Sequence, residues 1–453
     1  MSKRKYSATP VKKVNQAQLL EAVRGRRVVF GVDVAKYKFM GVFATDRATF
    51  LLTVSWTAPE ETRTLVALLG AVRDSASQLD VAMESTGTYG DPLRCLVEGL
   101  GVPVYLVSAK AVHDASEEFD GVPSSHDPKA AAIIAQRHWD GRSEPWLARS
   151  DAERDLVASV EMLAMHQRAF RALIQQLEAK LARHFPEVTE LLELPSATLS
   201  ALLSKYPSPA LIAAHAKEAD ALMVAVGRNM LVAEKRLAVL AAARASTGTP
   251  MRPREEQMLT TLTLELTRLR RGIRDAEKAV EREVKGYAPA QRIAEVVGSV
   301  TGAVLVVKLG DPGRFASASA YVKALGLNLK EHSSGQLKGR LAITKRGPGQ
   351  ARALLFLAVL RLLQSEPLFT LWFARKVERD GGKKLPAITA LMRKLAGSLW
   401  HIAKGSAFDA KRLFDARRLT TSASTADSSP EPEPDLDRMA AAMVASFGAE
   451  FAA

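Results

Sequence analysis

From residue 151 the apolar residues of this chain recur at alternating steps of four and three. Leu156, Val160, Leu163, Gln167, Phe170, Ile174, Leu177 and Leu181 keep that step, as do Leu259, Leu262, Leu266, Leu269, Ile273, Ala276 and Val280. A heptad repeat held that long lays the apolar side chains along one stripe of a helix, and the stripe must be buried against another helix. Any fold of the chain therefore has to accommodate two long helices. Breaks at "HFPEV", "YPSPA" and "TGTPMRPRE" separate the helical stretches, because proline lacks the N–H that a helix interior needs. The spacing predicts an antiparallel coiled-coil arm over 151–286, acting as a spacer or an oligomerisation element. Heptads do not say which chain supplies the partner helix. Gln167, the polar position in the seam, reads equally as a register-setting or a tolerated residue.

Upstream the period changes to two. Residues 27–55 alternate in three short runs rich in β-branched residues, the pattern of strands joined by tight turns. A helical stretch follows, then a strand "LDVAMES", a helix near "DPLRCLVEGL", a strand "VPVYLVS" and a helix from "DPKAAAIIAQRHW". Strands followed by strand–helix alternation predict an α/β sheet domain over 27–150 behind a basic tail, 1–26. A mainly helical domain is expected over 287–419. The final 420–453 is rich in Ser, Thr, Pro and acid, a composition expected to stay disordered, although "RMAAAMVASFGAEF" near its end can dock as a helix. With 453 residues there is enough chain for two or three cores. The single cysteine, Cys95, excludes an internal disulfide and suits a reducing cytoplasm. No apolar run nears the ~18 residues of a membrane span, and the basic N-terminus leads into no secretory apolar segment.

Charge is concentrated in one place. Between 321 and 420 stand 20 lysines and arginines against 6 acids, so this stretch alone carries the +14 of the whole chain. Such a face attracts phosphate backbones through counterion release. Lys338, Arg340, Lys345, Arg346, Arg352, Arg393 and Lys394 are the candidate nucleic-acid contacts. Few aromatics argue against a stacking platform for single strands.

Three acids stand out: Asp33, central among apolar neighbours of the first strand in "FGVDVAK", Glu84 at the end of the fourth strand in "VAMESTG", and Asp127 at the opening of the later helix in "SSHDPKAAAIIAQ". If the first and fourth strands are neighbours, Asp33 and Glu84 meet on one sheet and Asp127 approaches from the side. Three close carboxylates repel, and Mg²⁺, which prefers oxygen ligands, is their natural neutraliser. Taken singly each acid has a plainer reading, Asp127 as a helix N-cap and Asp33 at a bulge. Downstream, "KEHSSGQLKGRLAITKRG" sets Ser333 and Ser334 among cations. A serine hydroxyl attacks phosphate only with a base or metal, and with cations for the developing charge.

Taken in order, "GVDVAK", "MESTGTY", "DPKAAAIIA", "AITKRGPGQARALLFLAV" and "ALMRKLAGSLWHIAKG" resemble the insertion-sequence 110 family of transposases. The resemblance implies an α/β RNase H-like (RuvC-like) domain, a helical coiled-coil arm and a mainly α-helical C-terminal domain. It implies an Asp, Glu, Asp, Asp metal site on Asp33, Glu84, Asp127 and position 130, where this chain has Ala130. One ligand of that set is missing, so the chain is expected to be catalytically impaired. The resemblance further implies Ser334, with Ser333 as the alternative, as a nucleophile that forms a phosphoserine link to DNA. A noncoding bridge RNA that pairs with target and donor DNA, a homo-oligomer (dimer or tetramer) through the arm, and a prokaryotic cytoplasmic, nucleoid-associated setting complete the expectation. A junction-resolving nuclease without a covalent step, and a non-catalytic architectural nucleic-acid binder, are the alternatives.

Overall fold

The computed structural model describes residues 7–85, 87–121, 127–194, 196–334 and 337–414. Its contacts divide the chain into two units, Met1–Arg149 and Ser150–Ala453. Among the described residues the first unit carries a seven-stranded sheet. Its strands are β1 (Thr9–Pro10), β2 (Arg27–Asp33), β3 (Lys38–Ala44), β4 (Phe50–Thr57), β5 (Gln78–Glu84), β6 (Val104–Val107) and β7 (Glu144–Pro145), ordered β1-β4-β3-β2-β5-β6-β7. β2, β3 and β4 form an antiparallel meander; β5 pairs parallel to β2, and β6 parallel to β5.

β2 is buried from Val28 to Val32, which a strand tolerates only when both faces of its sheet are covered. Val28, Phe30 and Val32 join a core with α1 (Gln16–Val23), α2 (Thr62–Ser75) and α3 (Asp91–Gly99). Val29 points the other way, into a core with α4 (Ala109–Asp120) and α5 (Asp127–Trp139). α5 approaches the sheet closely because small residues meet there. A Cβ at Gly31 would lie 2.4 Å from the Ala131 carbonyl oxygen and 2.6 Å from the Ala135 nitrogen. The glycine in "VVFGVD" thus lets α5 lie against β2.

The far end of α5 is fastened by a buried polar cluster. Asp80 on β5, fully buried, accepts from Arg27 Nη2 at 2.9 Å and Gln78 Nε2 at 3.0 Å, and lies 3.3 Å from His138 Nε2. His138 Nδ1 is 2.8 Å from Ser143 Oγ. Burial pushes the Asp80 carboxyl up, but the hydrogen bonds from His138, Gln78 and Arg27 outweigh it and hold it below the ordinary range.

In the second unit α6 (Asp151–His184) and α12 (Pro253–Gly286) are 34 residues each, about 51 Å at 1.5 Å per residue. They run antiparallel, and they belong to the same chain. Leu156, Val160 and Leu163 share a core with Ala276, Val280 and Val284, while Leu177 and Leu181 share another with Leu259, Leu262 and Leu266. The second of these cores is closed by short helices between the two long ones: α7 (Val188–Leu191), α8 (Ala197–Lys205), α9 (Pro209–Ala214), α10 (Ala216–Gly227) and α11 (Ala233–Arg244). Gln167 is part-buried and lines a cavity of about 250 Å³ with residues of two later helices.

The rest of the unit comprises α13 (Ala288–Val297), α14 (Ser299–Leu309), α15 (Ala318–Ala324), a hairpin of β8 (Leu329–Ser334) and β9 (Leu337–Ile343), then α16 (Gly349–Ser365), α17 (Pro367–Arg379), α18 (Lys384–Ala403) and α19 (Ala410–Leu413). These helices share one core with the near ends of α6 and α12, so the arm and the basic region form a single unit rather than two. Among the described residues no single helix is long and apolar enough to cross a membrane. The bent pair α16 and α17, at 107°, contributes Leu355, Phe356, Phe369 and Phe373 to the core. The acidic tail expected over 420–453 lies outside the described residues.

Candidate active site

Two parallel strands place the first two acids. β2 and β5 pair in register through Val32 and Met83, and each ends one residue later, in Asp33 and Glu84. The two carboxyls therefore emerge side by side at the same end of the sheet, and they share a hydrogen bond. Asp127 is the first residue of α5, the helix that Gly31 admits against β2. Its charge is felt at Asp33.

The electrostatics follow from this placement. Burial raises the Asp33 carboxyl, the charges of Glu84 and Asp127 raise it further, and it reaches about 7. Near neutrality the Asp33 carboxyl therefore gains and loses its proton, and its protonated form is hydrogen-bonded to Glu84. A group whose folded pKa lies above its unfolded value stabilises fully below the unfolded value and loses that contribution as pH rises through the folded one. In the absence of divalent metal, this unit should lose stability between pH 4 and 8. Asp33→Asn should flatten the dependence and be the more stable form at pH 8, by on the order of 2 kcal/mol, since solvent reaches the cleft and screens part of the repulsion. Thermal unfolding of both forms across that range checks it, and parallel curves would mean that Asp33 is ionised throughout.

The three acids open on a cleft of about 640 Å³. Its second wall is α4, through Val112, His113, Ser116 and Glu117, and its floor includes Lys129, Ala130 and Ile133 of α5. Ala130 occupies the position three residues after Asp127, on the same side of the helix, and lines the cleft. Lys129 is fully buried and its Nζ lies 2.6 Å from Asp120 Oδ1 at the end of α4, tying the two walls together. α4 escaped sequence reading because "AKAVHDASEEFD" offers only Val112, Ala115 and Phe119 as an apolar stripe; with it went His113 and Glu117, whose i, i+4 spacing was the available signal.

The donors fit a hard divalent cation, being carboxylate oxygens, one of which carries a proton that a cation would displace. Among the described residues, no three His, Cys, Asp or Glu side chains are gathered closely enough to hold an ion as they stand. Asp33 and Glu84 adjoin, whereas Asp127 acts through its charge.

The basic candidates separate by environment. Lys345 and Arg346 are exposed and make no ion pair among the described residues, with Lys345 at a positive φ of 55° in the turn before α16. Arg352 is a correction: at 2% exposure it lies inside the unit, its Nη1 donating to the carbonyls of Leu325 and Gly347 at 3.3 and 2.8 Å. It is out of reach of a phosphate and closes that turn instead. Lys394 is half-buried, donates to the Leu413 carbonyl at 2.8 Å and lies over the rings of Trp372 and Phe414. Burial pulls its ammonium below the ordinary range, and its first role is to pin α19 to α18. Ser334 ends β8 opposite Leu337, while the side chains of Ser333, Ser334, Lys338 and Arg340 lie outside the described residues.

Comparison with known families places both halves among transposases. A model described as a transposase, of the DEDD type found in IS110 elements, matches residues 30–186, and that of the transposase IS116/IS110/IS902 family matches residues 294–371. The chain belongs to the IS110 family of transposases. It is 30% identical over 162 residues to the transposase for insertion sequence element IS1111A of Coxiella burnetii (strain RSA 493 / Nine Mile phase I), a match that covers 34% of this chain and 44% of that protein. The chain thus spans less than half the length of this curated relative.

Proposed function

We propose that the chain is a DNA transposase that cuts and rejoins DNA, with an RNase H-like (RuvC-like) acidic cleft for divalent metal, Ser334 as nucleophile and a noncoding bridge RNA as guide. The observation that carries the reading is the strand register, which ends two adjacent parallel strands in Asp33 and Glu84 inside the stretch matched by the transposase model. Asp33, Glu84 and Asp127 would hold the ion, with Mg²⁺ the expected one. What bound metal supplies there is activation of an attacking oxygen and stabilisation of a leaving one on a phosphodiester. The protein's own part is to hold Asp33 and Glu84 on rigid strand ends and Asp127 at the start of α5, and to release the proton from Asp33. The exposed Lys345 and Arg346 draw the backbone in without reading sequence, and target choice falls to base pairing with the guide. Oligomerisation through the arm belongs to the same reading, although the seam of each arm is filled within its own chain.

The test is to supply the purified chain and its copurifying RNA with supercoiled donor and target plasmids, and to count joined ends by sequencing. Junctions should form in Mg²⁺ and vanish in EDTA. Ala130 favours a second reading for this chain, stable binding with little cleavage. Nucleic acid retained without any junction, from this chain or from Ala130→Asp, would replace the enzyme with an architectural binder.

A further inference from the structure

A second cavity, of about 400 Å³, opens between α18 and the segment that leads into α19. Arg393 and His401 line it from α18, and Arg412 from α19. Arg393 is the unusual member. It is half-buried, its Nε is shielded from solvent without a hydrogen-bond partner, and it makes no ion pair among the described residues. A guanidinium taken partly out of water without a counter-charge costs free energy that an incoming anion would return. Arg412 faces the same space with its side chain 75% exposed, 3.9 Å from Asp409, the one acid lining the cavity among the described residues. The segment opposite α18 is held in place by Lys394, whose bond to the Leu413 carbonyl and two ring contacts set the spacing between the two arginines.

We infer that this cavity is a phosphate-binding site, in which Arg393 and Arg412 grip a phosphoryl group from two sides and His401 completes the rim. Guanidinium forks match the geometry of phosphate oxygens, and bonds between two charged partners are the strong ones. The phosphate belongs either to a nucleic-acid backbone, which rests on the function proposed above, or to a free phosphate ester.

The test uses the full chain and inorganic phosphate as the probe. Phosphate should raise the unfolding temperature of the unsubstituted chain, at constant ionic strength held with chloride. Arg393→Gln and Arg412→Gln should each weaken the apparent phosphate affinity about tenfold, the loss of one charge-assisted contact. Arg412 is exposed, so its substitution reads the site even if Arg393→Gln folds poorly. A second arm measures duplex DNA affinity against salt. A slope reduced by about one in Arg412→Gln identifies the ligand as backbone phosphate, and an unchanged slope identifies a free phosphate group. If phosphate leaves the unsubstituted chain unmoved, or moves both variants equally with it, the site is refuted. DNA binding recorded in the same titrations stands apart from that result.

Discussion

Ala130→Asp is expected to raise Mg²⁺-dependent cleavage of supercoiled donor DNA by at least about a hundredfold, equivalent to roughly 2.7 kcal/mol of barrier. The expectation rests on geometry. Ala130 follows Asp127 by three residues on α5 and lines the cleft that holds Asp33 and Glu84, and residues three apart share a helix face. A carboxylate there would point with Asp127 into the cleft and add the oxygen donor that an ion's shell lacks. It would also add repulsion, so the metal-free protein should become less stable above neutrality, and Mg²⁺ should recover that loss by binding the folded form. Cleavage across a magnesium titration, with guide present, is the measurement. Equal activity in the two forms would mean that position 130 is no ligand.

Ser334→Ala, made in the Ala130→Asp background, should lower strand exchange by several orders of magnitude while leaving DNA affinity unchanged. Removing a nucleophile abolishes its chemical step and leaves remote contacts alone. Ser334 is carried on β8, in a hairpin next to the turn with the exposed cations Lys345 and Arg346, so binding has other sources. The same substitution should erase a denaturant-resistant protein–DNA adduct. If Ser333→Ala is the inactive form instead, the nucleophile lies one residue earlier. If both variants exchange strands normally, the covalent mechanism is wrong.

Much of this architecture was legible along the chain because its signals are local. The heptads marked α6 and α12, and alternation marked β2, β3 and β4, because periodicity of 3.5 or 2 is a property of neighbouring residues. The motif stretches fall within or beside residues 30–186 and 294–371, the ranges of the two transposase models. The misses share one cause, weak local signals. α4 has a thin apolar stripe. The hairpin holding Ser334 is polar, "LKEHSSGQLKGRLAI", and lies in a domain expected to be mainly helical. Arg352 looked like its exposed neighbours Lys345 and Arg346, since nothing in "RGPGQARALL" shows that the turn folds back over its side chain.

By itself, then, the sequence determined the long helices, the strands and the identity of the acids, through side-chain period and residue type. Tertiary structure alone decided that the two seams fill each other within one chain, and that β2 and β5 are parallel neighbours in a register that ends both strands in acid. It also decided that Gly31 admits α5 to bring Asp127 beside them. The reason is physical: each of these facts depends on contacts between residues far apart in the chain, from 51 positions for Val32 and Met83 to 128 for Leu156 and Val284. Their cost in chain entropy is offset only by the packing of the whole unit, and no local window of sequence contains that packing.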